Sequence, residues 1–333
     1  MKVKKCIVIT TINTPNENIY FYSNLEEWDL IIVSDKKTNE NNYKNINCIL
    51  IDLKTQKELF PSLYEKIPFN SYSRKMFGYL YAITNKYNII YYTDNDNKYI
   101  YNINKFDFNE IPCKITTQTG FVNLYKNFTN SYIWPRGIPQ YHKCINETPI
   151  LELIETKTNN NCSVIQGLVN NDPDVDAYYR ININNKSFSF DDNNFNIILN
   201  KYSICPVNSQ NTFWKDSSMF YTMYLPITVS FRYTDILRGY ILLFQLWKNN
   251  KNIKFTKATA FQERNEHDLN KDFESEQSMY DTCEKVIELL NSNENATIRD
   301  IYNILMENNI VNKEELLVLD EWMQIINKNN ILK

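Results

Sequence analysis

The tripeptide Asp94-Asn95-Asp96 follows an apolar run, Ile89-Ile90-Tyr91-Tyr92, with one threonine between them. In an extended chain, residues i and i+2 face the same side. Two carboxylates at this spacing therefore present oxygen to one hard divalent cation, Mn2+ or Mg2+. Such a cation suits a ligand that already carries phosphates, because it neutralises the oxygens that a leaving diphosphate must hold. On spacing alone Asp-x-Asp is also a common polar turn, since Asp and Asn are turn formers. Upstream, Arg74 and Lys75 open an expected helix over 73–87. A helix start favours acidic residues, so two cations there ask for an anion. A diphosphate would supply it; otherwise both side chains extend to solvent.

Four further positions carry candidate chemistry. Asp35 follows the apolar run 30–33, where a carboxylate can accept from a ribose or a base N–H; Lys36 next to it faces phosphate or solvent, and Lys37 faces solvent. Asp235, at the start of an expected helix over 234–247, either complements the helix dipole or deprotonates an acceptor hydroxyl. His267, in Arg264-Asn265-Glu266-His267-Asp268, is an acceptable third donor to Mn2+ beside carboxylates, although a lone His is more often structural. Asp172, Asp174 and Asp176 alternate but lack the Gly and Glu of a calcium loop.

These residues need strands to hold them. Runs at 6–10, 30–33, 48–51 and 89–92 read as buried strands interleaved with helices. That pattern predicts an α/β fold, a mostly parallel sheet with helices on both faces and the ligand beyond the carboxyl ends of the strands. The tail changes character: 276–290, 298–308 and 313–326 read as amphipathic helices. Thr297 and Asn312 are the expected N-caps, with Asp300 and Glu315 as their capping-box partners. A boundary near 272 divides an α/β domain candidate, 1–272, from a helical tail, 273–333.

Composition removes rival chemistries. The 333 residues include only 5 Gly, none spaced for a P-loop or a GxGxxG turn. With 2 His and no paired Cys, zinc chemistry built on several imidazoles or thiolates is excluded. A net charge of −3 does not suggest duplex nucleic acid as a partner. The 7 scattered Cys fit reduced thiols, and no apolar run is long enough for a signal peptide or a membrane span, so the expectation is a soluble cytoplasmic chain. Oligomerisation is left open.

An ordered set of segments resembles the STELLO-like family of glycosyltransferases. It runs through Ile9-Thr10-Thr11-Ile12-Asn13-Thr14-Pro15, Val33-Ser34-Asp35-Lys36-Lys37-Thr38, the stretch 68–75 with Gly78-Tyr79-Leu80, and Tyr92-Thr93-Asp94-Asn95-Asp96-Asn97. It continues through Asp172-Pro173-Asp174-Val175-Asp176-Ala177, Asn208-Ser209-Gln210-Asn211-Thr212 and the stretch 224–232. The resemblance spans residue 9 to about 275 and implies a GT-A fold. It further implies a nucleotide-sugar donor, UDP-linked before GDP-linked, and a glycan or other hydroxyl acceptor. By it Thr10, Thr11, Asp35, Lys36, Arg74, Lys75 and Asn95 bind the donor and Asp94, Asp96 and His267 hold the metal, while Asp235 stays the candidate base read from its helix start. The family's plant members are associated with the Golgi and carry a transmembrane anchor, which the apolar runs of this sequence do not lead one to expect here. More distantly, the stretches 134–139 and 232–240 are similar to the plant reversibly glycosylated polypeptides, which include UDP-arabinopyranose mutases. That likeness places Arg136 at the sugar carbon, where self-glycosylation by a mutase is the alternative; from the residues alone Arg136 is a clamp or a loop salt bridge. A third reading keeps the fold as an inactive scaffold for partners.

Overall fold

The computed structural model describes residues 3–108, 113–140, 152–156, 161–183, 187–192, 196–264 and 268–329. Its strands are β1 (Lys5–Thr10), β2 (Trp28–Val33), β3 (Ile49–Ile51), β4 (Ile89–Thr93), β5 (Asn97–Tyr99), β6 (Cys113–Thr116), β7 (Gly120–Phe121), β8 (Leu153–Thr156), β9 (Cys162–Asn170), β10 (Asn196–Ile198), β11 (Ser203–Ile204), β12 (Asn211–Trp214) and β13 (Asn252–Gln262). The helices are α1 (Glu17–Ser23), α2 (Leu53–Leu59), α3 (Pro61–Tyr64), α4 (Met76–Thr84), α5 (Ala177–Asn182), α6 (Thr234–Lys248), α7 (Leu269–Asn291), α8 (Ile298–Glu307) and α9 (Lys313–Lys328).

Alternation along the first strands explains the layered architecture. Ile7 and Ile9 enter one core with Tyr91, while Cys6 and Val8 enter the opposite core with Ile90 and Tyr92. A strand apolar on both sides must be covered on both faces. β1 to β4 are accordingly parallel, in the order β3-β2-β1-β4. β12 then pairs antiparallel with both β4 and β9, and β13 runs parallel to β9. β10, β6 and β8 extend that side, β5 pairs with the end of β13, and the whole is one mixed sheet of eleven strands. The expected α/β sheet with helices on its faces and a helical tail is thus present.

α4 lies close over β1 and β2 because it carries Gly78 there: a Cβ would come within 2.5 Å of Val8 Cγ1. The helix expected over 73–87 is shorter, a 3-10 turn (Tyr72–Lys75) followed by α4. The tail helices fall where the amphipathic pattern predicts, and Thr297 and Asp300 form the expected capping box. Asn312 makes no side-chain cap. Glu315, its expected partner, is fully buried and turns instead to the main body. There it accepts hydrogen bonds from the Ile227 and Thr228 N–H groups (3.0 and 2.9 Å) and the Thr228 hydroxyl (2.7 Å), and also from Tyr224 Oη (2.5 Å). A buried carboxylate needs donors on all sides, and the 224–228 loop offers more of them than one helix end. Glu276 behaves alike from α7, taking the Arg232 guanidinium (2.7 Å) and the Ala177 N–H (2.7 Å). The boundary expected near 272 lies inside α7.

Candidate functional site

A cavity of about 320 Å³ opens beyond the carboxyl ends of β1, β2, β4 and β13. Three of the parallel strands deliver polar residues to it: Thr10 at the end of β1 with Thr11 after it, Asp35 after β2, and Asp94, Asn95 and Asp96 after β4. The Thr10 hydroxyl donates to the Val33 carbonyl (3.2 Å), and Asp35 Oδ1 accepts from the Lys36 N–H (2.7 Å), so both strand ends are tied down locally.

The chain is not extended through the acidic tripeptide. It turns there, with the Asp94 carbonyl accepting from the Asn97 N–H (3.2 Å), and β5 departs at once. Asn16 and Asn18 hold the turn by donating to the Asn95 carbonyl (2.7 and 3.1 Å). The two carboxylates then differ. Asp94 Oδ1 accepts from Lys75 Nζ (2.9 Å) and Tyr72 Oη (3.1 Å), while its side chain stays 30% exposed. Asp96 Oδ2 accepts from Gln262 Nε2 (3.0 Å), but its Oδ1 is buried and has no hydrogen-bond partner among the described residues. Burial, then the charge of Asp94, pushes the Asp96 carboxyl up to about 6, against the pull of Gln262. A buried carboxylate oxygen without a donor is costly, and a cation or a donor-bearing ligand would relieve it. These two residues therefore fit a divalent metal. Among the described residues no third acid, His or Cys joins them. Mg2+-type ions often take only one or two carboxylates from the protein and the rest from water and phosphate.

The other expected site residues divide. Thr10, Thr11, Asp35, Asn95 and Asp235 line the cavity. Arg74 does not. Its guanidinium is buried and donates to the Tyr64 and Ile67 carbonyls (2.9 and 3.0 Å) and to Gln56, with the Phe69 and Phe77 rings against it. Carbonyl dipoles and ring faces, rather than a phosphate, answer the cation at this helix start. Lys75 is also buried behind the wall, bonded to the Thr93 carbonyl (2.7 Å) as well as to Asp94; it braces the acidic turn instead of meeting a ligand directly. Lys36 lies over the Phe69 ring (3.7 Å), and Lys37 is the lysine that lines the cavity. His267 lies outside the described residues.

Arg136 is 5% exposed and bridges two acids. Its Nε and Nη2 meet the two oxygens of Asp174 (2.8 and 3.0 Å), Nη2 also reaches both oxygens of Asp235 (3.1 and 3.2 Å), and Nη1 donates to the Arg232 carbonyl. Burial alone would lower its pKa, but Asp174 and Asp235 outweigh that and hold it well above the ordinary arginine range. The Ser209 N–H (3.0 Å) fixes Asp235 from a second side. The three alternating acids part company: Asp172 pairs with Arg180 and Asp174 with Arg136, while Asp176 caps α5 through the Tyr179 N–H (2.7 Å). Sequence reasoning assigned no ligand-facing role to Gln262, Phe231, Arg180, Arg232 or Arg264, all of which line the cavity. The signal that could have found Gln262 and Arg264 is their place at and just past the carboxyl end of β13.

Fold and site together define an α/β protein with a charged ligand cavity at the carboxyl ends of its parallel strands and an acidic turn on its floor. Known proteins of similar sequence make that class more particular. The chain is 26% identical over 264 residues to "Probable glycosyltransferase STELLO1" of Arabidopsis thaliana, and 26% identical over 265 residues to "Probable glycosyltransferase STELLO2" of the same plant. Each match covers 74% of this chain and 34% of the relative, so the chain spans about a third of the length of the curated relatives it matches. No protein-family model matches the chain. The resemblance to the STELLO-like family is borne out. No helix among the described residues is long and apolar enough to cross a membrane.

Proposed function

We propose that this chain is a glycosyltransferase that takes a sugar from a nucleotide-sugar, UDP-linked before GDP-linked, and passes it to a hydroxyl acceptor. The observation that carries the reading is the pair Asp94 and Asp96 at the end of β4, with one Asp96 oxygen buried and unanswered beside an exposed Asp94 carboxylate. The two curated relatives, both named as probable glycosyltransferases, point the same way. Asp94 and Asp96 would hold Mn2+ or Mg2+, which when bound supplies positive charge to the diphosphate that departs.

The chain's own groups do the rest. Lys75 and Tyr72 fix the Asp94 carboxylate and Gln262 fixes that of Asp96, so the floor is organised before a ligand arrives. Thr10, Thr11, Asp35 and Asn95 are the polar contacts available to the nucleotide along the same strand ends. Asp235 is the candidate base for the acceptor hydroxyl, with its carboxylate plane set by Arg136 and Ser209. Arg136 would have to lose a proton to become a nucleophile, and two carboxylates oppose that. The mutase alternative with self-glycosylation is therefore the weaker reading. Isothermal titration with UDP and with GDP, each with and without Mn2+, tests the proposal. Metal-dependent binding of one of them is expected, and its absence for both overturns the reading.

A further inference from the structure

Three arginines also line the cavity: Arg180 from α5, Arg232 just before α6 and Arg264 just after β13. Their partner carboxylates sit behind them. Arg180 pairs with Asp172, Arg232 with Glu276 (2.7 Å), and Arg264 with Asp272 (2.8 Å) and, at longer range, Asp172 (3.7 Å). None of Asp172, Asp272 and Glu276 is among the residues lining the cavity. The ligand space therefore meets guanidinium edges while the balancing charge lies on the protein side. The guanidinia are not used up. Among the described residues, Arg180 Nε is buried with no acceptor, and Arg264 makes one hydrogen bond, through Nη2. Burial, followed by the nearby Arg180 and Arg232, pulls Arg264 down to about 10, which reflects the crowding of like charge. Three forks side by side with spare donors suit a carboxylate or phosphate, the two anions a guanidinium grips bidentately.

The ring of Phe231 stands beside them, 59% exposed, lining the same cavity and packed edge-on against Tyr72 (5.8 Å between centroids). An exposed aromatic among charged groups is a platform for the apolar face of a sugar ring. Elsewhere on the lining, Arg136 is held between Asp174 and Asp235, one cation between two carboxylates.

We infer that Arg180, Arg232 and Arg264, with Phe231, form an acceptor subsite for a sugar bearing a carboxylate or a phosphate. Calling it the acceptor side rests on the transferase reading above; the binding of an anionic sugar does not. The test is titration of the wild-type chain with glucuronate, glucose 6-phosphate and glucose, each with and without saturating UDP and Mn2+. One or both anionic sugars should bind about tenfold tighter than glucose, a gap that narrows as salt is raised. Whichever binds tighter identifies the anionic group. Arg180→Gln and Arg264→Gln should each cut that preference by about fivefold, with UDP affinity in Mn2+ changed less than about twofold. Equal binding of all three sugars overturns the inference. So does competition between UDP and the acid sugar, which would assign the arginines to the donor's diphosphate. If UDP fails to bind at all, the transferase reading falls, and the comparison of acid with neutral sugar without nucleotide still decides for or against the anion subsite.

Discussion

On the floor of the cavity, Thr10 ends β1 and Asp35 and Asp94 follow two strands of the same parallel set, whereas the arginine wall gathers Arg180, Arg232 and Arg264 from three segments remote in sequence. The floor is positioned by main-chain pairing: β1 fixes β2 and β4 in register, and the residues after them arrive together. The wall is positioned by side chains. Glu276 from α7 holds Arg232, Asp172 holds Arg180, and Glu315 from α9 holds the 224–228 loop that leads to Phe231. A floor set by a sheet tolerates substitutions beneath it as long as the strands pair. A wall set by buried ion pairs and one loop depends on each of them.

The largest effect should come from the floor itself. Asp96→Ala removes one of two candidate metal ligands, and turnover should fall about a thousandfold, on the order of 4 kcal/mol of transition-state stabilisation. Metal-dependent UDP binding should vanish with it while the far-UV spectrum stays that of the wild type. Unchanged turnover in Asp96→Ala would count against a metal on this turn, whereas biological activity retained by a variant without turnover would count for the scaffold reading.

The next effect belongs to the wall's support. Glu315→Ala leaves the Ile227 and Thr228 N–H groups without their acceptor and the Tyr224 hydroxyl with only the main-chain carbonyl of position 315, at a cost of about 3 kcal/mol in urea unfolding. Glu315→Gln keeps an acceptor oxygen and should lose less. If the tail were an independent appendage, the loss would be confined to its own unfolding and a separate transition would appear.

The same division explains what the sequence made legible. β1, β2 and β4 could be read because each is a short, largely buried apolar run, and Asp35 and Asp94 could be read because they follow such runs. Arg74 misled because its position suggests an anion, while its real partners are two backbone carbonyls and aromatic faces that no local pattern announces. Lys36 and Lys37 are exchanged in role for a similar reason: a neighbouring ring, Phe69, draws Lys36 aside. Glu315 matched a capping box by spacing, but burial against a distant loop decided its contacts. The arginine wall had no local signature, since its counter-ions come from other elements.

A smaller effect tests how far the two regions are joined. Gln262, at the end of β13, donates to Asp96 Oδ2, and its own Oε1 accepts from Gln210 Nε2 (2.5 Å). Gln262→Leu removes a support of the ligand without removing the ligand, so Mn2+-dependent UDP affinity should fall by about ten- to a hundredfold, less than in Asp96→Ala. An unchanged affinity would mean that the floor is organised by the parallel strands alone.

The smallest effect lies at the far end of the sheet, away from the cavity, where the mixed half is tied together. Asp216, just past β12, accepts from Ser163 Oγ of β9 (2.7 Å), pairs with Lys251 next to β13 (3.0 Å) and takes the Ser218 N–H (3.0 Å) and hydroxyl (2.7 Å). Partial burial raises its pKa, but the hydrogen bonds from Ser218, Ser163 and Lys251 outweigh it and draw it down to about 2 from an ordinary 3.8. As pH falls, the unfolded chain therefore takes up this proton before the folded one does. The contribution is complete above about pH 4 and disappears as pH drops through about 2. Solvent screens the site, so its worth at neutral pH is on the order of 1 kcal/mol. Asp216→Asn should be less stable than the wild type by that amount in urea at pH 7, and the gap should close between pH 4 and pH 2. UDP binding should be unaffected, because nothing at this end of the sheet reaches the floor. A stability gap that persists at pH 2 would show that the asparagine perturbs packing between β12 and β9 instead of removing a charge.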